Sequence, residues 1–166
     1  EENYSPASDP DLPRPLAVRV VGRVQAGYWA EAEEIPYDDQ TVVYAMEDPR
    51  FKGLPHFALE VDGPSMNRLY QHGSYVVCIP LVYLGAGFEL ESGNKVVVER
   101  RNDAGAVEKT VKQIEFDERG EPWLWPRSTD PRYQEPWKVP TGDGGDGIDD
   151  KIRISALVVF AVKKEI

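Results

Sequence analysis

The chain has 166 residues, 41% of them hydrophobic and 29% charged, which is typical of an ordinary globular domain large enough to bury a core. Its formal net charge is -10 and it contains no basic patch, which excludes direct nucleic-acid binding as its expected role. The longest apolar run, Ala156 to Val162, is too short to span a bilayer, and Glu1-Glu2-Asn3 does not begin a signal peptide. We therefore expect a cytoplasmic protein that does not contact membranes.

The first 15 residues are acidic and contain prolines at positions 6, 10, 13 and 15. Little in this stretch can pack, so it predicts an extended linker. Residues 16–166 predict one domain. Its first strand is expected over Leu16 to Val24, a run rich in β-branched residues.

Further strands are predicted from alternating or apolar runs that end in turn residues. They cover 41–46, the beginning of the stretch 59–78, 75–79, 95–101, 107–116 and 152–163, with a hairpin turn at 102–106. The fold class is therefore mostly β, with hairpins and few short helices. Residues 121–138 carry three tryptophans and four prolines, and we expect the tryptophans to be core or dimer contacts.

The segment Leu81 to Ser92 is apolar and contains two glycines. One interpretation is additional core or a covered loop. The other is a surface for a partner or for a second copy of the chain, since exposed clusters of Leu, Tyr and Phe tend to bind something. The residues alone leave both open.

A serine follows the strand that begins at Leu59. Asp62-Gly63-Pro64 are turn residues, and Ser65 comes directly after them, where a fold can hold a hydroxyl rigid and exposed. Ser65 is then either a nucleophile or an ordinary turn serine or helix cap. Upstream, Ala26-Gly27 suits a scissile bond, because alanine needs only a shallow pocket and glycine allows unusual backbone conformations. A simple glycine turn at the end of the strand is the alternative.

The strand 107–116 carries a lysine that is a candidate general base. Alternation places Lys112 on one face with Thr110, Ile114 and Phe116, while Lys109 points the other way, toward water. A lysine can act as a base only when it is neutral, and burial against apolar groups lowers its pKa. Ile114 and Phe116 are the candidates for that desolvation, although an ordinary lysine on an edge strand is the alternative.

The order and spacing of these segments resemble a known family. Val24-Gln25-Ala26-Gly27, then Gly63-Pro64-Ser65-Met66, then Glu108-Lys109-Thr110-Val111-Lys112 resemble the C-terminal domain of LexA and temperate-phage repressors, the self-cleaving serine–lysine peptidases. UmuD mutagenesis proteins share that domain, and signal peptidases are distant relatives. The resemblance covers about residues 16 to 166 and implies a compact β fold of that type.

The resemblance implies specific roles. Ser65 would be the nucleophile, Lys112 the general base and Ala26–Gly27 the scissile bond, with the backbone N–H of Ser65 in the oxyanion hole. No cofactor is implied. The implied partners are a second copy in a homodimer and the RecA filament on single-stranded DNA, or an antirepressor protein. DNA would be bound only through an N-terminal domain that precedes the linker.

This sequence departs from LexA-type proteins at Pro64. Those proteins usually have a residue with a backbone N–H at this position, which helps form the oxyanion hole, and proline has none. Losing one such donor costs about 10²–10³ in rate. Signal-peptidase relatives do carry proline there. Two alternatives therefore stay open, a non-cleaving dimerisation module controlled by an antirepressor and a UmuD-like polymerase accessory subunit.

We expect no metal site. His56 and His72 are the only histidines, and Cys78 is the only cysteine, so no zinc-ligand spacing exists and no internal disulfide can form. Cys78 is expected to be a small buried hydrophobe. The acidic glycine loop 141–150 partly fits a calcium nonapeptide repeat, but Lys151 stands where an apolar residue should be and no second copy is present. A flexible solvated loop is the better interpretation.

Overall fold

A computed structural model describes residues 14–30, 34–140 and 152–163, and they form one nine-stranded sheet. The strands are β1 (Arg14–Val24), β2 (Val42–Glu47), β3 (Phe57–Val61), β4 (Tyr75–Pro80), β5 (Lys95–Arg101), β6 (Val107–Phe116), β7 (Pro122–Trp125), β8 (Trp137–Lys138) and β9 (Ile152–Val162). Their order in the sheet is β2-β1-β3-β4-β9-β5-β6-β7-β8. Three 3₁₀ helices, Tyr37–Asp39, Pro49–Phe51 and Leu81–Tyr83, are the helical elements of the described residues. The predicted mostly β class is confirmed.

Strand β1 joins the end strand β2 to the rest of the sheet. Its first half pairs antiparallel with β2, and its second half pairs parallel with β3 after a register shift between Val20 and Gly22. Its buried residues, among them Val18 and Val20, are β-branched and suit a pleated surface. Because β1 and β3 run parallel, they end side by side, so Gln25 and the turn after Val61 leave the sheet at the same edge.

The core beneath that edge is a cluster of buried apolar side chains from six strands and the turn after β3. Its members are Val24, Leu59, Val61, Met66, Val76, Cys78, Val97, Val111 and Ala156. Cys78 has no exposed surface, as predicted. Met66 directly follows Ser65 and is 1% exposed, so the core anchors the residue next to the candidate nucleophile.

Strands β7 and β8 were not predicted. They are the last two strands of the sheet, and Pro122 is tolerated because it is the first residue of β7. Elsewhere, β1 begins at Arg14, two residues before the predicted strand. The linker residues 1–13 and the acidic glycine loop lie outside the described residues.

Part of the segment 81–92 is additional core, and part of it is an exposed apolar surface. Leu84, Phe88 and Leu90 pack against a second core cluster around Ile79, so much of the segment is additional core. Val82 is 82% exposed and Tyr83 is 50% exposed on the 3₁₀ helix at its start. In the part of the chain that the structure describes, no helix is long and apolar enough to cross a membrane.

Leu59→Ala tests the core under the site. Leu59 has no exposed surface, and truncating it leaves a cavity between β1 and β3. We expect the free energy of unfolding to fall by about 2–5 kcal/mol. Urea denaturation followed by fluorescence measures this loss. Val82→Ala, at an exposed position, should change the same free energy by less than about 0.5 kcal/mol. Equal losses in both variants would contradict the assignment of Leu59 to the core.

Candidate active site

Ser65 lies in a turn that is held at both ends. Beyond β3, the Asp62 N–H donates to the Val24 carbonyl at 2.9 Å, which ties the turn to the end of β1. Gly63 has a φ of 82°, a conformation that favours glycine, and reverses the chain there. Ser65 follows Pro64 and is 7% exposed. The hydroxyl therefore sits on a rigid, nearly buried turn.

The loop of residues 126–136, which joins β7 to β8, holds this turn from the other side. The Ser128 hydroxyl donates to the Pro64 carbonyl at 2.6 Å. The Arg68 N–H donates to the Arg127 carbonyl, and its Nε donates to the Ser128 carbonyl, both at 3.0 Å. Ser128 is itself buried, and the three bonds join the turn and the 126–136 loop into one unit.

Lys112 lies on β6, opposite Val96 of β5, and is 2% exposed. Its Nζ lies 4.7 Å from the centroid of the Trp137 ring on β8. Burial lowers the pKa of Lys112 to about 8, with the carboxylate of Glu108 opposing this change and the guanidinium of Arg100 adding to it. A fraction of Lys112 is therefore uncharged near pH 7.

The prediction that Phe116 helps to desolvate Lys112 is wrong. Phe116 shares the face of Lys112 by alternation, but it is the last residue of β6 and is 38% exposed. It lines an apolar surface cavity with Leu81 and Phe88 instead. Ile114 is buried in the cluster against which Trp137 packs. The indole ring of Trp137 supplies the apolar cover that Phe116 was expected to give.

A buried ion pair stands beside the lysine. Glu108 is 1% exposed, and its Oε1 lies 3.0 Å from Nη2 of Arg100, close enough for an ion pair although outside hydrogen-bond geometry. The Arg100 guanidinium also lies 4.9 Å from the Trp29 ring and 4.3 Å from the Trp137 ring. Glu108 was not predicted as a site residue. Alternation could have found it, because it shares the inward face of β6 with Lys112.

The segment that contains Ala26 and Gly27 runs along the start of β6. Gln25 donates its N–H to the Lys109 carbonyl at 2.9 Å, and the Gly27 N–H donates to Oε2 of Glu108. The Ala26 carbonyl accepts a hydrogen bond from the Tyr133 hydroxyl at 3.3 Å. Gly27 has a φ of 77°, which favours glycine at this position. The predicted scissile bond is therefore held by groups from β6 and from the 126–136 loop.

Two adjoining cavities bring the predicted site residues together. Ser65 lines a cavity of about 110 Å³, and Lys112 lines another of about 230 Å³. Ala26, Arg132 and Tyr133 line both. Gly27 borders the Lys112 cavity. The Ala26–Gly27 bond thus lies between the hydroxyl side and the amine side of the site.

Within the described residues, Ser65 and Lys112 are not hydrogen-bonded to each other. Hydrogen bonds between catalytic residues are often long or absent before the substrate is in place, so the absence of this bond is compatible with a nucleophile and its base. The Ser65 N–H makes no hydrogen bond in the described part of the chain either, so it can donate to a substrate oxygen. Among the same residues, no group of three His, Cys, Asp or Glu side chains could hold a metal ion.

A search of curated proteins found no match to this chain. Residues 19–159 match the family described as Peptidase S24-like. The match runs from within β1 to within β9 and includes both candidate catalytic residues and the Ala26–Gly27 bond. This confirms the resemblance to the peptidase domain of LexA, UmuD and phage repressors. The chain therefore belongs to the Peptidase S24-like family.

Proposed function

We propose that this domain is the C-terminal part of a phage-type or LexA-like transcriptional repressor, and that it cleaves its own Ala26–Gly27 bond through Ser65 and Lys112. One observation carries this proposal. Ala26 lines both the cavity of Ser65 and the cavity of Lys112, so the residue that begins the candidate scissile bond borders both candidate catalytic residues. The family of the chain agrees with a serine peptidase.

The reaction begins with the neutral form of Lys112. A serine hydroxyl is a weak nucleophile until a base takes its proton. With a pKa of about 8, about a fifth of the lysine is neutral near pH 7.4. Lys112 accepts the proton of Ser65, and Oγ bonds to the carbonyl carbon of Ala26.

The tetrahedral intermediate then collapses. Its C–N bond breaks, and the Gly27 nitrogen takes the proton from Lys112 as it leaves. The intermediate that remains is an ester between the Ala26 carbonyl and the Ser65 oxygen. Water hydrolyses this ester, again with Lys112 as the base. The products are a chain that ends in the carboxylate of Ala26 and a chain that begins with the amine of Gly27, and the reaction consumes no cofactor.

Glu108 has a defined part in this scheme. Its Oε2 accepts the hydrogen bond of the Gly27 N–H, so it holds the leaving group of the reaction. Holding a bond in reactive geometry replaces an encounter that would otherwise have to occur by diffusion. Glu108 also raises the pKa of Lys112 against the effect of burial, so the lysine can hold the proton that it takes from Ser65.

Cleavage at this bond breaks the covalent connection between everything before Gly27, which includes β1, and the rest of the domain. In a repressor, the separated part carries the DNA-binding domain, and the remaining part holds the homodimer together, so cleavage ends repression. The proposed signal is the RecA filament on single-stranded DNA during DNA damage, in the cytoplasm. DNA is bound only by the separated part, in keeping with the charge of -10.

Pro64 favours a second candidate function, a non-cleaving dimerisation module that an antirepressor protein controls. Proline has no N–H to donate to an oxyanion next to Ser65. Losing one such donor costs about 10²–10³ in rate. A domain slowed to that degree serves better as a binding module than as a peptidase.

Intact-mass measurement over a pH series distinguishes the two functions. We expect a cut between Ala26 and Gly27 whose rate rises about tenfold per pH unit and levels off above a midpoint near pH 8, because only neutral Lys112 accepts the proton. Ser65→Ala and Lys112→Met should abolish the cut. Lys95→Met, an equivalent change on β5, should cleave like the wild type. An intact wild-type chain at every pH, with and without RecA filament, would support the non-cleaving module.

Glu108→Gln tests the electrostatic balance of the site. Glu108 raises the pKa of Lys112, and the unpaired Arg100 would lower it further, so the midpoint of the pH–rate profile should move below pH 8. The glutamine oxygen can still accept the Gly27 N–H. The same intact-mass series measures the shift, with Glu118→Gln, on the exposed turn after β6, as the control. A midpoint that stays in place or rises would contradict this role of Glu108.

A further inference from the structure

The Tyr133 hydroxyl contacts the candidate scissile carbonyl. It donates a hydrogen bond to the Ala26 oxygen at 3.3 Å, across 107 residues of sequence. Tyr133 also lines both cavities, between the Ser65 side and the Lys112 side. The family resemblance gives this tyrosine no role, and the mechanism above does not use it.

Attack on Ala26 places a negative charge on that same oxygen. Preorganised donors aimed at such an oxygen are usually the largest single source of catalysis in acyl transfer. The turn that carries the nucleophile offers the Ser65 N–H, which makes no hydrogen bond within the described residues. Pro64 offers no N–H at all. The site is therefore one donor short if only the backbone of this turn is considered.

We propose that the Tyr133 hydroxyl is the second oxyanion donor of this site and stands in for the N–H that Pro64 lacks. This inference rests on the proposed self-cleavage. When Oγ of Ser65 bonds to the Ala26 carbon and its proton passes to Lys112, the charged oxygen receives hydrogen bonds from Tyr133 and from the Ser65 N–H. Both bonds weaken again when the C–N bond breaks and the carbonyl re-forms.

Tyr133 is preorganised for this role by its own turn. Its N–H donates to the Asp130 carbonyl at 3.0 Å, and the neighbouring Arg132 forms an ion pair with the Asp130 carboxylate at 2.8 Å. The Asp130 N–H donates in turn to the Ser128 hydroxyl, which itself donates to the Pro64 carbonyl. This chain of hydrogen bonds sets the phenol relative to the nucleophile turn before the reaction begins.

The competing explanation is that Tyr133 only positions the Ala26 carbonyl in the ground state. Pro64→Ala separates the two explanations, because it adds a backbone N–H beside Ser65 without touching Tyr133. A new oxyanion donor would compensate for a lost oxyanion donor. It would not restore the position of the carbonyl.

The experiment compares cleavage rates at pH values above the midpoint in five chains: the wild type, Pro64→Ala, Tyr133→Phe, the variant with both changes, and Tyr44→Phe. Tyr133→Phe should cleave about 10²-fold more slowly than the wild type, with the pH midpoint unchanged. Pro64→Ala with Tyr133→Phe should recover at least about tenfold of that loss. Tyr44→Phe, which removes the same atom from an exposed tyrosine on β2, should match the wild type. Thermal melts check that each variant is folded.

Two results would overturn the inference while the wild type still cleaves. One is a Tyr133→Phe rate equal to that of the wild type. The other is a slow Tyr133→Phe that Pro64→Ala, folded and active by itself, does not improve. A wild type that is never cut would instead overturn the proposed self-cleavage, and the role of Tyr133 with it.

Discussion

The burial of one lysine is the constraint on which this site depends. An ammonium group that leaves water loses its hydration, and the protein must either compensate the charge or favour the neutral amine. Around Lys112 the structure partly compensates the charge and partly favours the neutral amine. The Trp137 ring covers the amine and Glu108 attracts it, while Arg100 repels it. The result is a pKa of about 8, at which charged and neutral forms are both accessible near physiological pH.

The same balance extends to the candidate substrate. The carboxylate that opposes the pKa shift of Lys112 also accepts the hydrogen bond of the Gly27 N–H. The arginine that pairs with this carboxylate lies against Trp29, two residues beyond Gly27. In the proposed scheme, the same cluster of side chains therefore holds the candidate substrate and sets the pKa of the candidate base.

The sheet explains how one chain can supply both the proposed nucleophile and its proposed substrate. Strands β1 and β3 are parallel neighbours, so they reach the same edge of the sheet. There β1 continues into the Ala26–Gly27 segment, and β3 continues into the turn of Ser65. The hydrogen bond from Asp62 to the Val24 carbonyl links the two exits directly. The proposed scissile bond is thereby kept near Ser65 by the sheet itself.

Local pattern predicted those features that depend on short stretches of sequence. The turn at Ser65 followed from its turn residues, and the inward face of Lys112 followed from the period of a strand. Glu108 lies on that same face and could have been found. Trp137 and Tyr133 could not, because their contacts depend on where the chain returns after β7, and the bond between Tyr133 and Ala26 spans 107 residues. Phe116 was wrong for a related reason, since alternation gives the face of a strand but not the depth of burial, and Phe116, the last residue of β6, is 38% exposed.

The most direct test is the pKa of Lys112 itself, measured by NMR titration of its side chain in the Ser65→Ala chain, which cannot cleave in this scheme. Lys112→Met identifies the signal. The account predicts a titration midpoint near 8, well below the ordinary lysine value of 10.5. A midpoint close to 10.5 would mean that the lysine is charged at physiological pH and cannot be the base, and the proposed mechanism would fail.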